Sequence, residues 1–130
     1  MVIDTSAVAA ILFNEPEAQA MERHIADASI RLMSAATIVE AGMVVESRLG
    51  ESGGREFDLW LQRAGIEIVP VDPEQADVAR QAWRKFGKGR HAAGINFGDC
   101  FSYALATIRE EPLLFKGADF SRTDVRMCEE

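Results

Sequence analysis

The chain opens Met1-Val2-Ile3-Asp4-Thr5-Ser6 and runs straight on into Ala7-Val8-Ala9-Ala10-Ile11-Leu12-Phe13. Three apolar residues read as a short buried strand, Asp4 closes it, and a helix follows at once. In an open α/β sheet, ligands gather at the carboxyl ends of the strands. A carboxylate in that place points into a crevice. Asp4, Thr5 or Ser6 can equally cap the new helix by accepting a backbone N–H bond.

The pattern of strand and helix continues down the chain. Pro16 opens a helix over about 17–27, with Ala18, Met21 and Ile25 at helical spacing. A strand at 30–33 leads to a helix over about 36–49, closed by Gly50. Residues 51–54 read as a loop and 55–64 as a helix. The stretch Ile66 to Val71 is rich in β-branched residues and carries Pro70, so it predicts a strand at an edge or an end. A helix follows over 74–86, then a Gly- and base-rich loop over 87–94 and a helix over 97–109. Leu113-Leu114-Phe115 predicts a buried strand, 116–120 a loop at its carboxyl end, and 123–127 a last edge strand. Trp60, Trp83 and the apolar faces near them read most simply as ordinary core, with a groove for a second copy or a partner as the alternative. No repeat, low-complexity tract or interdomain linker interrupts this order, which predicts one α/β domain over 1–130 with a mainly parallel sheet flanked by helices.

The totals agree. With 130 residues the chain can bury a single core. No apolar run approaches the roughly 20 residues of a membrane span. No basic region precedes the apolar start, as a signal peptide would have. The expectation is a cytoplasmic protein with no membrane partner. Cys100 and Cys128 form neither a CxxC pair nor a zinc pattern, which suits a reducing compartment. The net charge of −7 disfavours polyanion binding at first sight. Yet Arg80, Arg84, Lys85, Lys88 and Arg90 lie in a stretch to His91 that holds no acid.

Four carboxylates sit where bland explanations are strained. Asp4 ends a strand. Glu40 lies in Ala36-Thr37-Ile38-Val39-Glu40-Ala41-Gly42-Met43-Val44-Val45, a helix apolar nearly all round and so expected to be buried on most sides. Asp99 stands in the first turn of an apolar helix, where Asn96 can cap and the helix dipole favours an acid. Asp119 follows a buried strand beside Gly117, as a turn residue would. Each has a structural reading of its own, but together they fit a common cleft. Acids crowded into one cleft repel each other unless a cation intervenes. Hard oxygen ligands suit Mg²⁺ or Mn²⁺, and two histidines cannot build a His-rich site. The chemistry this predicts is metal-assisted phosphodiester hydrolysis.

The motifs Met1-Val2-Ile3-Asp4-Thr5-Ser6-Ala7, Glu40, Asn96-Phe97-Gly98-Asp99-Cys100-Phe101-Ser102-Tyr103-Ala104 and Leu114-Phe115-Lys116-Gly117-Ala118-Asp119-Phe120 occur in an order that resembles PIN-domain ribonucleases, specifically VapC-type toxins of bacterial toxin–antitoxin modules. The resemblance spans Met1 to about Asp124. It implies an Mg²⁺- or Mn²⁺-dependent endoribonuclease with Asp4 and Asp99 as principal metal ligands. Glu40 and Asp119 would complete the catalytic acids, and Ser6 would orient a carboxylate. Gly117 departs from the acidic or amide residue many relatives carry there, which leaves Asp124 as an alternative to Asp119. The resemblance also implies a homodimer and a cognate VapB-type antitoxin. Arg84, Lys85, Lys88 and Arg90 become candidates for RNA phosphate contact. A receiver-like domain would need an acidic pair near the N-terminus. A haloacid-dehalogenase-type phosphatase would need an Asp where Ser6 stands.

Overall fold

The computed structural model describes residues 1–128. Four short strands, β1 (Val2–Ile3), β2 (Leu32–Ser34), β3 (Glu67–Val69) and β4 (Leu113–Leu114), form one sheet in the order β3-β2-β1-β4. Every pairing is parallel, with Val2 beside both Leu32 and Leu113. Around it lie α1 (Thr5–Leu12), α2 (Ala18–Asp27), α3 (Ala35–Arg63), α4 (Pro73–Phe86) and α5 (Phe97–Arg109).

The strand residues alternate between two cores, as the two-residue period of a strand requires. Val2, Leu32 and Leu113 face one core with Ala79 and Ala82 of α4 and Ala104 and Leu105 of α5. Ile3, Met33 and Leu114 face the other, with Val8 of α1, Met21 and Ile25 of α2, and Ala41 and Val45 of α3. Both faces are therefore covered, which is why these strands read as unbroken apolar runs. Residues 126–128 run beside β4: the Leu113 N–H donates to the Arg126 carbonyl at 2.8 Å and the Cys128 N–H to the Leu113 carbonyl at 3.2 Å. The edge strand expected over 123–127 is thus a single bridge at Met127.

Three expectations need correction. Residues 51–54 are helical, and the turn between the two arms of α3 is Gly50 alone, at φ 72° and ψ −167°. That conformation is essentially reserved for glycine. Gly53 and Gly54 then belong to close helix packing. A Cβ on Gly53 would lie 2.5 Å from the Leu49 Cβ, and one on Gly54 2.2 Å from the Glu46 carboxylate. The stretch around Glu40 is buried on one face only, because Val39 and Met43 are 63% and 65% exposed and Val44 is also exposed. Trp83 is 46% exposed and carries the Arg90 guanidinium 4.5 Å from its ring. Trp60 is half-buried against Phe57.

Candidate active site

Asp4 fills the capping role that its sequence position suggested. It caps α1, with Oδ2 accepting from the Ser6 N–H at 3.0 Å and from Ser6 Oγ at 2.8 Å. It is also 2% exposed at the carboxyl end of β1, in the middle of the sheet. Its Oδ1 accepts from Ser102 Oγ of α5 at 2.6 Å. Ser6 Oγ in turn accepts from the Lys116 N–H at 2.9 Å, tying the end of β1 to the loop after β4.

Asp99 stands in the first turn of α5 in a reciprocal cap. Its backbone N–H donates to Asn96 Oδ1 at 2.9 Å, and its Oδ2 accepts from the Asn96 N–H at 3.0 Å. Such a box fixes both helix entry and carboxylate. Burial pushes the Asp99 carboxyl up to about 7, and the negative charges of Asp4, Glu40 and Asp119 push the same way. The Asn96 hydrogen bond opposes them. Three acids far from Asp99 in sequence thus act on it.

Glu40 is half-buried on α3 and accepts a hydrogen bond from Thr5 Oγ1. Its carboxylate lies against Gly98, so close that a Cβ there would meet Oε2 at 1.7 Å. Asp119 is exposed at the start of a 3-10 turn over Phe120–Arg122. Asp124 faces elsewhere: it accepts from the Tyr103 hydroxyl at 2.5 Å and is not among the charges acting on Asp99. Of the two alternatives, Asp119 keeps company with the other acids.

Lys116, the base on the same loop, is turned to Glu15 and Glu17 in ion pairs. Among the described residues, no three His, Cys, Asp or Glu side chains stand close enough to chelate an ion in the positions they hold. The donor set nevertheless fits a hard divalent cation. It is made of carboxylate oxygens, and a cation would favour the ionised form of Asp99 against its burial and the neighbouring charges. Burial pushes the Cys100 thiol up to about 11, so it stays a protonated core residue beside this acid.

Arg84 and Lys85 lie exposed in the last turn of α4, with Lys88 and Arg90 exposed on the loop beyond. This loop is an ordered turn, because the Lys88 N–H donates to the Ile95 carbonyl and the Arg90 and His91 N–H groups to that of Gly87. It delivers the chain to Asn96, three residues before Asp99.

Residues 1–126 match the PIN domain. The chain belongs to the PIN-domain family. Among its relatives, Ribonuclease VapC of Mycolicibacterium smegmatis is 59% identical over 125 residues, 96% of this chain and 97% of that one. Ribonuclease VapC30 of Mycobacterium tuberculosis is 57% identical over 125 residues, 96% and 95% of the two chains. Ribonuclease VapC28 of the same species is 46% identical over 127 residues, 97% and 96%. The crystal structure of Mycobacterium tuberculosis VapC20, a toxin that cleaves the sarcin–ricin loop, shares the fold at a TM-score of 0.78 and 20% identity, covering 99% of this chain and 98% of that one.

Within this PIN domain, sequence reasoning missed Thr5, Thr37 and Ser102. Thr5 holds Glu40. Ser102 holds Asp4, and Thr37 Oγ1 lies 3.4 Å from Ser102 Oγ. The available signal was spacing: Ser102 follows Asp99 by one helical turn, and Thr37 precedes Glu40 by one.

Proposed function

We propose that the chain is a VapC-type endoribonuclease whose site is built from Asp4, Glu40, Asp99 and Asp119. The observation that carries this reading is the Glu40 carboxylate lying against Gly98, one residue before Asp99, with Asp4 buried at the end of β1 and the charges of Asp4, Glu40 and Asp119 all acting to raise the Asp99 carboxyl. Asp4 and Asp99 are the residues to hold Mg²⁺ or Mn²⁺. Such a cation, when bound, activates water near neutral pH and stabilises the leaving oxygen of a phosphodiester. Ser6 and the α1 cap keep Asp4 fixed. Glu40, held through one oxygen by Thr5, is left to accept the proton of the attacking water. Asp4 suits a ligand better than a phosphatase nucleophile, since both of its oxygens already accept hydrogen bonds.

The whole of 1–130 is taken as this one domain. RNA is the substrate, and a VapB-type antitoxin is the partner. Among the described residues no helix is long and apolar enough to cross a membrane, and the unpaired cysteines suit the cytoplasm. A homodimer is supported by apolar surface that the chain leaves uncovered: Val39 and Met43 flank Glu40, and Phe97, 80% exposed, precedes Gly98.

Purified protein incubated with total bacterial RNA tests the reading. Discrete cleavage in Mg²⁺ or Mn²⁺, abolished by EDTA, is the expected result. Intact ribosomal, transfer and messenger RNA in both metals, with folded protein, would sink it. The basic loop makes a separate prediction. Lys88→Glu with Arg90→Glu should raise KM for RNA by about tenfold with little change in kcat. It should also lower the slope of log affinity against log salt by about 1 for each phosphate no longer neutralised. An unchanged salt slope would remove the loop from the RNA path.

A further inference from the structure

We infer that Ser102 selects and holds the oxygen of Asp4 that meets the metal, with Thr37 behind it as the donor that fixes Ser102; this rests on the metal-site reading above. Asp4, Ser102 and Thr37 are all buried. Ser102 Oγ donates to Asp4 Oδ1 at 2.6 Å. A serine hydroxyl carries one proton, so Ser102 has none left for Thr37. The 3.4 Å contact between Thr37 Oγ1 and Ser102 Oγ is long for a hydroxyl pair, and any proton shared across it comes from Thr37. The direction of donation is fixed as Thr37 to Ser102 to Asp4.

The other oxygen of Asp4 is already engaged twice, by the Ser6 N–H and by Ser6 Oγ. A carboxylate offers about four lone-pair positions. Three are filled, and the one that remains is on Oδ1. Ser102 thus occupies one side of Oδ1 and leaves the other for a cation. The connected elements are significant as well. Ser102 lies one turn beyond Asp99 on α5, and Thr37 one turn before Glu40 on α3. The two hydroxyls therefore lock together β1, α3 and α5, the elements that supply three of the four acids. A buried hydroxyl is costly unless its hydrogen bond is made. Packing alone would be served by alanine at 102.

Ser102 and Thr37 are positioning residues, since they act through Asp4. The test is calorimetric titration of Mn²⁺ into the metal-free, full-length protein with no RNA present, alongside thermal melts and steady-state cleavage. Ser102→Ala should bind Mn²⁺ about 10–100-fold more weakly, the range for losing an outer partner of a metal ligand. Its kcat should fall in parallel while KM for RNA stays within about twofold. Thr37→Val should shift both quantities in the same direction by less. Wild-type Mn²⁺ affinity in Ser102→Ala would overturn the inference. So would a Ser102→Ala protein that loses cooperative melting while Thr37→Val binds Mn²⁺ as wild type does, since the hydroxyl would then serve folding alone. A wild-type protein that binds no Mn²⁺ would instead overturn the metal-site reading beneath it.

Discussion

Asp99→Asn yields a folded protein whose RNA cleavage falls by more than about 100-fold, because even outer partners of metal ligands cost about 10–100-fold when removed. The fold survives because the cap survives. The backbone N–H at 99 still donates to Asn96 Oδ1, and an amide oxygen can accept the Asn96 N–H as the carboxylate does. The metal-free variant should also melt at a higher temperature than wild type near neutral pH. Asp99 is raised from 3.8 to about 7, by burial first and then by Asp4, Glu40 and Asp119. A carboxyl raised on folding stabilises the protein fully below its unfolded value and loses that contribution as pH climbs to its folded one. Wild type therefore loses stability between about pH 4 and 7 from this group, and Asn, which never ionises, does not. The gap in melting temperature should widen across that window and stay level above it. Mg²⁺ should reverse the order, since it favours the ionised carboxyl and stabilises wild type more at pH 8 than at pH 5. Wild-type cleavage by the variant, or a gap indifferent to pH, would count against Asp99 as the centre of the site.

The parts of this protein legible in its sequence are those where one residue type has one physical reason. Val2-Ile3 and Leu113-Leu114 read as buried strands because both faces of the sheet are covered, and Asp4 and Asp119 read as crevice acids because one ends such a strand and the other lies in the loop that follows one. The helical hairpin of α3 is hidden because Gly53-Gly54 has the composition of a loop. Its purpose is visible only when Leu49, Val45 and Glu46 are seen lying on those glycines. Periodicity shows that Val39, Met43 and Val44 are apolar, but not that the chain leaves them uncovered. Trp83 reads as core for the same reason, since a helical pattern does not say which neighbour will cover a face. Ser102 and Thr37 escape because a small hydroxyl residue on an apolar helix looks like filler. Only the direction of its one proton gives it a role.

Gly98→Ala should separate activity from stability more sharply than removal of any acid. Gly98 is in the first turn of α5 and has no positive φ, so its backbone accepts alanine. Exchange of Gly for Ala in a helix gains up to about 1 kcal/mol. The new methyl would lie 1.7 Å from Glu40 Oε2 and 2.4 Å from Glu40 Cδ. Those atoms end a flexible side chain, so Glu40 gives way and the helix does not. In moving, Glu40 leaves Thr5 Oγ1, which now holds it. The expected outcome is a melting temperature equal to or above wild type, with cleavage lowered by about 10–100-fold. Glu40→Gln should lower cleavage at least as far. Because both changes act through one carboxylate, the double variant should be little worse than Glu40→Gln alone, a non-additivity that a double-mutant cycle measures directly. Full activity in Gly98→Ala would mean that Glu40 works from more than one position. Additive losses in the double variant would mean that the methyl acts on Asp99 or the helix cap instead.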